Sequence, residues 1–258
     1  MKTTIYYFSG TGNSLKIARN IAERLEKCEL VPIAKVWVQD QLASTSEKVG
    51  FVFPLYYFGL PKIVYDFINN IELAKSNYCF AVITRAGDAD GAPLQQLANI
   101  LETKMKKLNA GFFVRMPSNF VIGYNTVSEA VQKEFFEKAI DQVEKIINII
   151  KENEENFQNK MNISERMNKK FRDKVYASDK SFYANENCTN CGICECVCPV
   201  NNIILKEGFP LWQHKCQQCL ACINYCPEEA IQFGTKSLET GRYHHPEITV
   251  QDIMNQKM

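Results

Sequence analysis

Apolar positions in the first 150 residues switch between two periods. Thr4-Ile5-Tyr6-Tyr7-Phe8 is a short β-branched and aromatic run, which predicts a buried parallel strand. Leu15, Ile17, Ala18, Ile21, Ala22 and Leu25 then recur at helical spacing. The alternation continues with strands over Val49–Phe53, Tyr78–Ile83 and Gly111–Met116, and helices near 61–70, near 92–107 and from about 128 to 152. Strands alternating with helices predict an α/β domain built on a parallel sheet. Beyond residue 150 the chain turns polar and basic, with Lys160, Arg166, Lys169, Lys170, Arg172 and Lys174 set against Glu165 and Asp173. A solvated helix face explains such a run better than a docking face for an acidic partner. Three segments are expected: 1–152, a helical, basic connector over 153–180, and a small α+β domain with a tail over 181–258.

The last third carries its own pattern. Cys188, Cys191, Cys194 and Cys198 precede Pro199, and Cys216, Cys219, Cys222 and Cys226 precede Pro227, an offset of 28 residues. Both runs read C-x2-C-x2-C-x3-C-P, the spacing of bacterial ferredoxins that hold two 4Fe–4S clusters. A cuboidal cluster needs four converging thiolates, and three on one tight loop cannot supply the fourth. In bacterial ferredoxins the last cysteine of each run ligates the other cluster. That resemblance implies one set of Cys188, Cys191, Cys194 and Cys226, and another of Cys216, Cys219, Cys222 and Cys198. Ile203 and Ile231 fall at equal distances after the fourth cysteines and are expected to pack between the clusters. Trp212 and Phe209, just before the second run, are expected to pack against them. Zinc sites need neither the third C-x2 step nor the trailing proline.

Composition narrows the setting. Three of the eleven cysteines, Cys28, Cys79 and Cys196, lie outside the pattern, so a secreted disulfide scaffold is disfavoured. Cys196, inside the first run, has no counterpart in the second and is not read as a ligand. Thiolate-bound clusters call for a reducing compartment, and no signal peptide or spanning run is evident, so a cytoplasmic location is expected. A net charge of +1 gives no reason to expect nucleic acid, and no membrane partner is expected.

Ser9-Gly10-Thr11-Gly12-Asn13-Ser14 stands between the first strand and the first helix. Strand, glycine and hydroxyl loop, then helix is the layout of an anion site, because free backbone N–H groups and the helix dipole favour phosphate. The loop lacks the Gly-Lys-Ser/Thr of a P-loop, and Leu15 stands where a dinucleotide fingerprint needs its third glycine. It resembles the FMN-phosphate loop of flavodoxins. Pro54-Leu55-Tyr56-Tyr57-Phe58-Gly59-Leu60-Pro61 and Thr84-Arg85-Ala86-Gly87-Asp88-Ala89-Asp90-Gly91 match that family's flavin-facing loops. The resemblance covers residues 1 to about 150 and implies a doubly wound sheet of order 2-1-3-4-5 with FMN at its switch point. It implies ring stacking by Tyr56, Tyr57 or Phe58, Tyr56 first, beside Pro54 and Gly59, and backbone contacts to the ring edge from Thr84, Gly87 and Gly91. Many flavodoxins carry a second aromatic in the third loop. None stands here, which leaves one ring face open or covered by Arg85 or by the ferredoxin segment.

The whole chain resembles the flavodoxin–ferredoxin fusions of anaerobic microbes, the EFR1-type ferredoxins. Electrons are expected to pass between two 4Fe–4S clusters and FMN, and on to an external redox protein as donor or acceptor. A small flavin-dependent iron–sulfur reductase with its own substrate is the alternative. No acid–base or nucleophile constellation stands out, so no catalytic residues are assigned, and no oligomeric state is read from the sequence. The tail beyond 235 is too short for an output domain.

Overall fold

The computed structural model describes residues 1–39, 42–159 and 165–257. Lys160, counted in the basic run, lies outside them. Five parallel strands form one sheet of order β2-β1-β3-β4-β5: β1 (Thr3–Tyr7), β2 (Cys28–Pro32), β3 (Lys48–Pro54), β4 (Tyr78–Arg85) and β5 (Leu108–Arg115). Crossovers run through α1 (Asn13–Ala22), α2 (Ile33–Val36), α3 (Lys62–Asn70) and α4 (Pro93–Thr103), and α5 (Glu129–Glu152) follows β5. This is the flavodoxin-like doubly wound topology, with its switch point between β1 and β3. The central strands are buried on both faces, which is why they are continuous apolar runs.

The remaining chain does not fold as a detached bead. Helix α6 (Glu165–Lys174) and a 3₁₀ segment (Val175–Ser181) lead into two short hairpin-like pairs, β6 (Phe182–Ala184) with β9 (Ile231–Phe233) and β7 (Ile203–Lys206) with β8 (Phe209–Trp212). Short helices α7 (Ile193–Cys196) and α8 (Ala221–Asn224) hold the middle of each cysteine run. Ile203 and Ile231 are buried in a core with Cys194, Cys198 and Cys222. Val121 and Ile122, from the loop between β5 and α5, belong to that second core. Trp212 packs there and stacks on Phe182 with ring centroids 5.9 Å apart, whereas Phe209 is 54% exposed and does not pack inward as expected. The reason is register: Phe209 pairs with Lys206 at the turn end of the hairpin, on its outer face.

The tail returns to the first domain. Residues 243–257, including α9 (Val250–Met254), lie along α1 and the loop before it. Tyr243 Oη donates to Asn13 Oδ1 (2.6 Å), His245 N–H to the Thr11 carbonyl (2.8 Å), and Gln256 Oε1 accepts from Ser9 N–H (3.2 Å). Lys16 pairs with Glu247 (2.6 Å) and Arg19 with Asp252 (2.5 Å). Lys257 then closes the strap, donating to the Glu195 carbonyl and to Asn201 beside the first cysteine run.

Acid should loosen this strap. His245 is buried against Phe136, and burial lowers its pKa from 6.5 to about 4, with Glu247, Lys16 and His244 as its charged or titratable neighbours. The unfolded chain therefore binds the extra proton first. His245's contribution is complete above pH 6.5 and drains away as pH falls toward 4, a loss of up to about 3 kcal/mol. Asp252, held near 2 by Arg19, is lost only at lower pH. Melting curves between pH 7 and 4 should fall more steeply for this chain than for His245→Asn; equal slopes would contradict the assignment.

Candidate functional site

All three loops singled out in the sequence leave the carboxyl edge of the sheet and enclose one cavity of about 340 Å³, within the range of small-ligand sites. Ser9, Gly10, Thr11, Asn13 and Ser14 line one end, where the first-turn N–H groups of α1 have no intrahelical partner. Ser9 Oγ accepts from Gly12 N–H (3.0 Å), and Ser14 Oγ bonds Thr84 Oγ1 (2.7 Å), so the loop is braced against the third loop. Pro54, Tyr56, Tyr57 and Phe58 form a second wall, and Thr84, Arg85 and Gly87 a third. Gly12, Gly59 and Gly91, named with these loops, do not line the cavity. They support it from behind: Gly12 (φ +101°) packs on Ile248 and His245, Gly59 on Asn168, and Gly91 (φ +63°) on the Phe58 backbone.

The second loop is strained and clamped. Tyr57 and Phe58 both take left-handed backbone (φ 45° and 64°), a conformation such residues rarely adopt unless their surroundings enforce it. The clamp comes from the basic segment, whose α6 is not simply a solvated face. Asn168, fully buried, donates to the Tyr56 carbonyl (2.9 Å) and the Leu60 carbonyl (3.1 Å), while its Oδ1 accepts from Gln96 and Arg172. Phe171 stacks on Tyr57 at 4.2 Å. The Lys and Arg heads of α6 other than Arg172 remain exposed, as expected. Asn168→Ala would strand buried carbonyls and is expected to cost about 2–3 kcal/mol. It should also loosen the Tyr56–Leu60 loop, seen as faster amide exchange there; unchanged exchange would contradict the clamp.

A fourth wall was not anticipated. Met116, Pro117, Ser118, Asn119, Phe120 and Tyr124, after β5, line the cavity, and Gln218 closes it from the second cysteine run. The cysteine-rich segment thus covers part of the cavity mouth. Arg85 pairs with Asp90 (3.1 Å) and lies over Phe113. The fifth strand's exit loop at the same sheet edge was the available signal; Gln218 had none.

The eight motif cysteines fall into two sets. Cys188, Cys191, Cys194 and Cys226 surround one cavity, here called site A. Cys198, Cys216, Cys219 and Cys222 surround another, site B. Each set takes its fourth member from the other run. Among the described residues no three His, Cys, Asp or Glu groups converge on a point as a single ion requires, whereas a cluster spreads its sulfurs around a larger body. Backbone N–H groups of Asn202 and Ala230 donate to Cys198 and Cys226 (3.2 Å each), equivalent positions in the two runs. Burial pushes the Cys194 thiol up to about 12 and Cys216 to about 11, and raises Cys219 and Cys222 further, with neighbouring cysteines adding to the rise. Such thiols stay neutral until a cation takes up their charge, so iron binding must release protons. Cys196 is exposed and outside both sets. His214 bonds Asp179 and His244 stacks on Tyr225.

Comparison with known proteins agrees with this division. The flavodoxin domain family matches residues 4–128. Ferredoxin-1 of Chlorobaculum tepidum is 36% identical over 61 residues, 21% of this chain and 98% of that protein. Among solved structures, an FMN-dependent NADH-azoreductase from Bacillus anthracis is 12% identical and aligns over 57% of this chain and 98% of its own (TM-score 0.40). Rubredoxin oxygen:oxidoreductase from Desulfovibrio gigas is 17% identical over 58% of this chain and 36% of its own (TM-score 0.36). Strand order, cysteine spacing and the two sequence matches converge: the chain joins a flavodoxin domain to a segment belonging to the ferredoxin family, a flavin and iron–sulfur electron-transfer protein.

Proposed function

We propose that this chain is an electron carrier of the EFR1-type flavodoxin–ferredoxin fusions. It binds FMN in the cavity and two 4Fe–4S clusters at sites A and B, and it exchanges electrons with an external redox protein in the cytoplasm. The observation that carries this reading is the crosswise partition of the eight cysteines, with site B set against the cavity wall.

Ser9, Thr11, Asn13 and Ser14, with the α1 N–H groups, are suited to a phosphate monoester bound without a Lys or Arg on the loop. Tyr56, Tyr57 and Phe58 supply aromatic surface for a flat ring and exclude water from it. Thr84, Arg85 and Gly87 present polar groups and one positive charge to its edge. When bound, FMN supplies a two-electron centre beside two one-electron centres. Their union in one chain makes internal exchange independent of diffusion. The net charge of +1 offers no basis for nucleic-acid binding, and no described helix is long and apolar enough to cross a membrane.

Anaerobic titration with a one-electron reductant tests this reading. Uptake should equal two electrons for the flavin plus one for each cluster. Uptake by the flavin alone would refute it. A second reading, a flavin-dependent reductase, is favoured by exposed Tyr57, Phe58 and Tyr124 around the cavity. Saturable oxidation of the reduced protein by a small molecule would select it; exchange only with redox proteins would select the carrier.

A further inference from the structure

Sites A and B are equal in spacing and unequal in surroundings. Between Cys188 and Cys191 of site A, Thr189 and Asn190 are exposed, as is Cys191 itself. The corresponding Gln217 and Gln218 of site B turn into the flavodoxin domain. Gln217, buried, accepts a hydrogen bond from Ile63 N–H at the start of α3 (2.9 Å), and Gln218 lines the flavin cavity. The Cys219 carbonyl accepts from Asn119 (3.3 Å). It also meets Gly10 so closely that a Cβ there would lie 2.3 Å from it.

Tyr56 completes this joint. That same Cβ position is 3.2 Å from Tyr56 Oη, so the hydroxyl, the phosphate-loop backbone and the Cys219 backbone meet at one point. Tyr56 is 9% exposed, and its buried hydroxyl has the Asn119 amide beside it as a donor while its own proton finds no acceptor among the described residues. A buried hydroxyl left so costs about 1–3 kcal/mol, and such groups in native proteins are almost always satisfied by something. After burial, the groups that act most on this phenol are Cys219 and Cys216, two of the site B cysteines, followed by the Asn119 side chain. Thiolate and sulfide sulfurs accept hydrogen bonds, and such bonds help set a cluster's reduction potential.

We propose that Tyr56 is a positioning residue of site B: its hydroxyl donates a hydrogen bond into the sulfur set held by Cys198, Cys216, Cys219 and Cys222. Site B is thereby the flavin-side site, and site A is the outward one. This rests on the cofactor assignment above.

The test is Tyr56→Phe in the full chain, purified without oxygen and followed by redox titration with EPR detection of each cluster. Iron, sulfide and flavin are measured first; their absence from the unaltered protein would defeat the cofactor reading rather than this inference. With cofactors retained, one cluster midpoint should shift negative while the other stays. Cys191→Ser marks the site A signal, so the shifted one is identified as site B. No shift, a shift at site A, or a shift of the flavin alone would overturn the proposal. If Tyr56→Phe fails to hold its cofactors, a ring-fluorinated tyrosine at position 56 is a stronger donor of nearly the same shape. It should move the site B midpoint positive, and an unmoved midpoint would overturn the proposal.

Discussion

A single methyl group at position 10 is expected to separate the two halves of this protein. Gly10 has no side chain because none fits: a Cβ would stand 2.3 Å from the Cys219 carbonyl oxygen and 3.2 Å from its carbon. The obstacle is backbone, fixed by Asn119 on one side and by the cluster run on the other, so it cannot rotate away. Overpacking a well-filled contact costs about 1–3 kcal/mol, and one against rigid backbone belongs at or above the top of that range. Gly10→Ala should therefore lower stability by about 3 kcal/mol and weaken FMN binding by about 10-fold if half of that cost falls on the loop. Denaturant unfolding and flavin titration measure both. Unchanged stability and affinity would mean that the phosphate loop and the Cys219 loop do not touch in solution.

Removing iron should have a larger effect, confined to one region. Strands β6 to β9 are 3 or 4 residues long, and α7 and α8 have 4 residues each. Elements this short cannot stand alone, and the core they share includes cysteines of both sites. Without iron, buried thiols replace the bonds that cross-link the two runs, so metal binding and folding are one process here. Chelation is expected to raise proteolytic cleavage within 182–233 by on the order of 100-fold, while the five-stranded sheet keeps its protection. A C-terminal region that stays protected without iron would contradict this coupling.

These two expectations draw on different parts of the sequence's legibility. The buried strands read clearly because both faces of a parallel sheet demand apolar residues. β2 (Cys28–Pro32) did not: it is an edge strand, half exposed, with a glutamate and a proline in five residues. The fifth strand was placed at Gly111–Met116 but runs Leu108–Arg115, since Asn109 looks like loop until its buried amide is seen bonding Cys79 N–H and Glu155. The helix expected to 107 stops at Thr103, turned by Met105 in left-handed backbone. The cysteine sets were readable because ligand spacing is chemistry written locally. Contacts that join distant segments left no such trace. Gln217 and Gln218 look like any polar pair between ligands, Asn168 like one more polar residue in a basic run, and the 243–257 strap like a spare tail. Each acquires its role only when the fold brings it to Ile63, to Tyr56 or to Ser9.

The central claim is that one chain holds two clusters and a flavin in contact. Iron, acid-labile sulfide and flavin per chain, measured on protein purified without oxygen, test it most directly. Two 4Fe–4S clusters and one FMN correspond to about eight iron, eight sulfide and one flavin. Iron without flavin would contradict the cavity assignment, and zinc in place of iron would contradict the electron-transfer account as a whole.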